Sequence, residues 1–279
     1  MEWRNIYRGM LMGASDVVPG VSGGTIAVVL GIYDRLIEAI NGFFSKDYKK
    51  HLMFLVPLGI GVLTAIFLLA GLIEWLFEHY PKQTQLVFLG LIIGVLPFLF
   101  KKSEAKRTFK TNHFLLVVIG MVVVGSMAFF QTGEPAPVTA FSPTTYLWLF
   151  GSGFIASSAM ILPGISGSFL LYVIGSYTTI ISAIKNLDII VIATVGAGIL
   201  LGILLMSKII HYFLEAFPIA TYAVVIGMVI GSVFVIFPGL ITIESGSTMI
   251  SMIMTLAVNI IPFIAGLLFA YLLGKIEYR

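Results

Sequence analysis

The 279-residue chain is 59% hydrophobic and 10% charged, carries a formal net charge of +3 and contains no cysteine. Its mean hydropathy of +1.07 lies far beyond that of water-soluble domains and predicts an integral membrane protein. The missing thiols exclude disulfides, thiolate nucleophiles and thiolate metal sites, and the basic residues flank apolar segments without forming the continuous basic face that a nucleic-acid partner needs.

Arg4 and Arg8 precede the first apolar stretch, which is interrupted almost at once. The run SDVVPGVSGGTIAVVLGIYDRL, residues 15–36, places Asp16, Pro19, Gly20 and the cluster Ser22, Gly23, Gly24 and Thr25 inside an otherwise greasy segment. Proline removes a backbone donor and disfavours helix at the residue before it, and glycine reaches conformations that other residues avoid. Residues 9–40 are therefore read as a Pro/Gly-broken helical hairpin, and the same interruption argues against a cleaved signal peptide. A crossing needs about 20 mostly apolar residues, and such spans follow at 52–77, 84–100 and 114–130. A second broken segment, AMILPGISGSFLLYVIGSYTTI at 159–180, marks a hairpin over 146–184 with Pro163 and Gly164 at its break. Spans at 189–206, 218–238 and 249–273 complete the chain.

Lys and Arg concentrate in cytoplasmic loops. Loop 101–113 is strongly basic and is placed inside; loop 131–145 has no Lys or Arg and is placed outside. Counting back from there puts loop 41–51 and the N-terminus in the cytoplasm, so the first hairpin must enter and leave on that side. Counting forward makes the second hairpin external and returns the C-terminus to the cytoplasm. Of the 16 Lys and Arg, only Lys82 and Lys185 then lie outside.

The chain also resembles itself. Pro19, Gly20, Ser22, Gly23, Gly31 and Tyr33 recur in the same spacing as Pro163, Gly164, Ser166, Gly167, Gly175 and Tyr177. Gly59, Gly61, Pro81, Thr84, Gly90 and Gly94 recur as Gly196, Gly198, Pro218, Thr221, Gly227 and Gly231. The expected fold is an all-α polytopic membrane protein with an inverted-topology repeat, residues 1–138 and 139–279. Each half is one re-entrant Pro/Gly-broken hairpin plus three transmembrane helices. The odd number of crossings turns the second half over, the pattern of secondary transporters whose site lies between the halves near the midplane.

Backbone N–H groups freed at the helix start after each break, with nearby hydroxyls, suit an anion and phosphate in particular. The candidates are Ser22, Gly23, Gly24 and Thr25 from one side and Ser166, Gly167 and Ser168 from the other. The competing explanation is close packing by small residues. Asp16 has no counterpart, since Met160 stands at the matching position. An ionisable group at this depth is a candidate for coupling to protons or sodium, with helix capping as its rival role. Arg4 and Arg8 stand at the cytoplasmic mouth of the first hairpin, where they can guide lipid phosphates. No cofactor and no metal site is expected.

GASDVVPGVSGGTIAVVLGIYDRL, residues 13–36, and SSAMILPGISGSFLLYVIGSY, residues 157–177, resemble the bacterial polyprenyl-phosphate transporter family over essentially the whole chain. The resemblance implies a multi-pass protein of the bacterial cytoplasmic membrane that returns undecaprenyl phosphate from the outer to the inner leaflet. It implies a head-group role for Asp16, Ser22, Gly23, Gly24, Thr25, Ser166, Gly167 and Ser168. The broken hairpins are also similar to those of undecaprenyl-diphosphate phosphatases, which follow the serine with arginine. Here Gly23 and Gly167 take that place and no Arg lies within either hairpin core. Phosphoryl transfer relies on cations to stabilise developing charge, so an enzyme is not expected. A transporter of a small soluble anion is the alternative. The pattern is compatible with a monomer and with a homodimer packed through Gly-rich spans such as 90–94.

Overall fold

The computed structural model describes residues 2–16, 22–130, 136–138, 140–237 and 249–277. Every regular element among them is helical. The first half supplies α1 (Arg4–Asp16), α2 (Gly23–Val29), α3 (Tyr33–Asn41), α4 (Tyr48–His79), α5 (Pro81–Lys102), the single turn α6 (Ala105–Thr108) and α7 (Thr111–Gly125). The second supplies α8 (Pro143–Met160), α9 (Gly167–Ile174), α10 (Tyr177–Lys185), α11 (Ile189–Ala216), α12 (Pro218–Ile236) and α13 (Met249–Glu277).

Six of these are long and apolar enough to cross a bilayer: α4, α5, α7 with the 3₁₀ turn that extends it to Phe129, α11, α12 and α13. They fall on the six spans expected from sequence. The ends differ where the helix continues past the stretch expected from sequence. In α11, for example, the helix runs on from 206 to Ala216 through Lys208 and the His211–Glu215 pair, 3.3 Å apart at i,i+4. Pro81 and Pro218 each open a helix, where the missing N–H costs nothing because the first-turn donors have no intrahelical partner. The corners before them have the same backbone, with φ −135° and ψ 51° at Tyr80 and φ −137° and ψ 55° at Phe217.

Around the two broken segments the local structure also recurs. Ser22 caps α2 by accepting the Thr25 N–H at 3.2 Å, and Ser166 caps α9 by accepting the Phe169 N–H at 3.5 Å. Both short helices stop at a glycine with positive φ, 66° at Gly31 and 83° at Gly175, a conformation that glycine takes without steric cost. The next helix begins two residues later, and α10 is bent 107° from α9. The first break, Pro19 and Gly20, lies outside the described residues. The second, Pro163 and Gly164, is a turn with Gly164 at φ 88°.

Four helix pairs make the main packing: α1 on α4, α8 on α11, α5 on α13 and α7 on α12. In lipid the hydrophobic effect does not drive helices together, so association depends on close van der Waals contact, which small residues permit. Gly9 of α1 seats against the Leu58 carbonyl of α4 and Gly61 of α4 against the Ile6 carbonyl of α1; any side chain at either position would strike that carbonyl. Gly153 meets Val195 and Gly198 meets Phe150 in the same way between α8 and α11. Between the halves, Gly90 meets Phe263 and Gly266 meets Val87, while Gly227 meets Val117 and Gly120 meets Val224. The first half thus lends α7 to α12 and receives α13 on α5. The main core lies where α2, α3, α5 and α12 converge; every residue of α2 is buried, and Ile26–Val29 belong to this core.

Candidate functional site

The two broken segments meet. The backbone N–H of Gly164 donates to Thr25 Oγ1 at 2.7 Å in a fully buried bond. Beside it Gly24 lies against the end of α8, where an added Cβ would come to 3.0 Å from the carbonyl oxygens of both Met160 and Ile161. On its other side Gly164 rests on the Met228 carbonyl of α12, which a Cβ would approach to 2.6 Å. The turn is therefore held between the start of α2 and the middle of α12. Thr25 Oγ1 also lies 3.2 Å from Ser22 Oγ, so both hydroxyls are engaged within the junction.

Asp16 is the last described residue of α1, and its Oδ1 accepts the N–H of Gly23, the first residue of α2, at 2.6 Å. This is the capping arrangement anticipated as the rival role, and it does not exhaust the side chain. Asp16 also lines a cavity of about 230 Å³ with Ser157, Met160, Ser166, Gly167 and Ser168, bordered by α8, α9 and α11. Ser166 Oγ and Ser168 Oγ are 2.9 Å apart. Among the described lining residues Asp16 is the one ionisable side chain. The cavity thus brings serine hydroxyls and a carboxylate into one lining, next to the point where the two halves of the chain touch. An anion bound there stands beside a carboxylate, and like charges in a low-dielectric interior are costly to hold together.

The expected site residues thus divide into two groups. Asp16, Ser166, Gly167 and Ser168 share the cavity. Gly23 donates to Asp16, while Ser22, Gly24 and Thr25 are buried where α2 meets the Pro163–Gly164 turn and do not line it. Arg4 is exposed at the start of α1. Arg8, one turn on, donates to Asn5 Oδ1 at 2.9 Å, and neither arginine reaches the cavity. Among the described residues no group of three His, Asp or Glu could hold a metal ion.

A second polar locus had no sequence signal. Asp34 Oδ2 of α3 accepts from Tyr222 OH of α12 at 2.6 Å and from Lys102 Nζ of α5 at 2.8 Å. This knot borders a cavity of about 520 Å³ that Glu38, His51, His211 and Glu215 also line. Its members come from distant parts of the chain with no spacing motif, so only the folded structure brings them together.

A family model described as VCA0040-like, undecaprenyl phosphate translocase-like, matches residues 12–254. The chain is 40% identical over 283 residues to a protein of Staphylococcus aureus (strain NCTC 8325 / PS 47) named polyprenyl-phosphate transporter, covering 99% of this chain and 97% of the relative. It is 34% identical over 252 residues to a protein of the same name from Vibrio cholerae serotype O1 (strain ATCC 39315 / El Tor Inaba N16961), covering 85% of this chain and 79% of the relative. No solved structure matches the chain.

Proposed function

The chain belongs to the undecaprenyl phosphate translocase-like family, and from that premise we propose that it carries a polyprenyl phosphate across a bacterial cytoplasmic membrane as a transporter, not as an enzyme. Such a lipid can leave its prenyl tail in the bilayer while the anionic head alone crosses. The protein then needs one small head-group site at the meeting point of two exchangeable halves. The observation that carries this reading is the cavity of Asp16, Ser166 and Ser168 directly beside the Thr25–Gly164 junction.

The halves 1–138 and 139–279 form an inverted repeat with re-entrant hairpins, both termini cytoplasmic, and alternating access follows from exchange of their conformations. The recurring caps, corners and glycine contacts support it. The head group passes from the outer to the inner leaflet. Asp16 couples passage to protons or sodium, Ser166, Gly167 and Ser168 hold phosphate oxygens, and Ser22, Gly23, Gly24 and Thr25 shape the far wall as the junction opens. Arg4 and Arg8 receive lipid phosphates at the cytoplasmic surface.

The test places purified protein in liposomes loaded with a labelled polyprenyl phosphate and follows the access of a membrane-impermeant reagent to inner-leaflet head groups. Acceleration over empty vesicles that is lost in Ser168→Val is the expected result. No acceleration, with or without proton and sodium gradients, overturns lipid translocation and leaves a small soluble anion as the substrate to assay.

A further inference from the structure

A cavity of about 360 Å³ lies between α7 and α11, over α12 and against α3, and exposes no polar surface. Two of its lining residues carry hydroxyls, and neither hydroxyl faces it. Thr221 Oγ1 donates to the carbonyls of Phe213 and Phe217 at 2.8 and 2.9 Å, and Tyr33 contributes its ring while its OH is buried. One end of the slot reaches Leu162, immediately before Pro163, and Met228, whose carbonyl supports Gly164. The other end is bounded by Ile209, Phe213 and Phe217, which are 46%, 46% and 53% exposed on the outer face of the helices.

We propose that this slot holds the isoprenoid segment next to the phosphate while the head group passes the hairpin junction. The inference rests on the translocation reading above. Head and first isoprene units are joined by a single phosphoester, so a tail site has to begin at the head-group junction and open sideways to the bilayer; the slot does both. Moving a chain from lipid tails into an apolar protein slot gains nothing from the hydrophobic effect, because both surroundings are equally apolar. The gain comes from shape, through dispersion contacts to the branched methyl groups. Met206 and Met228 add deformable surface that follows the irregular outline of an isoprenoid. The slot therefore discriminates prenyl from straight acyl chains.

The test is photo-crosslinking of the wild-type protein in liposomes with a polyprenyl phosphate bearing a diazirine on its first isoprene units, mapped by mass spectrometry. A phospholipid carrying the diazirine in its acyl chain is run in parallel. The expected result is prenyl labelling concentrated on α7, α11 and α12 around the slot, not matched by the phospholipid. Transport of the prenyl phosphate should also fall several-fold in Ala220→Phe, which fills the slot. Prenyl labels scattered over all lipid-facing helices, or slot labelling shared equally by the phospholipid, overturn the tail site while leaving translocation standing. Wild-type protein that transports no polyprenyl phosphate overturns the translocation reading itself, and the slot assignment falls with it.

Discussion

The Gly164 amide and the Thr25 hydroxyl, 139 positions apart in the chain, are joined by a buried 2.7 Å hydrogen bond that ties the Pro163–Gly164 turn to the start of α2. Thr25→Val keeps the shape of the side chain and removes the acceptor. An orphaned buried amide costs about 1–3 kcal/mol, so the variant should melt earlier in detergent and show altered transport, whereas Thr25→Ser should restore both. Wild-type melting and transport in Thr25→Val would show that the bond does not hold the junction.

Glycine contacts give a matched pair of predictions. Gly61→Val and Gly198→Val each drive a side chain into a carbonyl of the partner helix, at Ile6 and Phe150, and both should destabilise the protein strongly. Gly59→Val and Gly196→Val, two residues earlier on the same helices, meet nothing within 4 Å and should be nearly neutral. Thermal melts of the four variants side by side decide this. Equal behaviour of all four would mean that helix propensity, not contact, sets the effect.

Asp16→Asn retains an oxygen able to accept the Gly23 N–H but loses the charge that takes up a proton or a sodium ion. The fold should survive, while the dependence of transport on pH or sodium gradients disappears. The readout is liposome flux at several pH values with and without sodium. A dependence unchanged from wild type removes Asp16 from coupling.

Tyr222→Phe deletes one donor to Asp34, and Lys102 remains as another. A hydrogen bond to a charged group contributes about 1.5–3 kcal/mol, so a modest loss of stability is expected. Asp34→Ala deprives Tyr222 and Lys102 of their shared acceptor and should lose more. Denaturation in detergent ranks the two variants; the reverse order would show that the knot contributes little to holding α3, α5 and α12 together.

Much of this protein could be read from the chain alone. Six spans are written in runs of apolar residues whose length matches the bilayer, and the turn at Pro163 and Gly164 in a Pro-Gly-x-Ser string. These are local or periodic properties, fixed by the solvent around a helix and by the backbone limits of proline and glycine. The identity of the cavity-lining residues was a different matter. Ser22, Thr25, Ser166 and Ser168 look alike in sequence, yet the first two are engaged at the contact with Gly164 and the last two line the cavity with Asp16. The Asp34 knot and the apolar slot beside Leu162 had no pattern at all. Each depends on which faces of distant helices come together, and side-chain contacts across a junction are decided by three-dimensional packing rather than by any spacing along the chain.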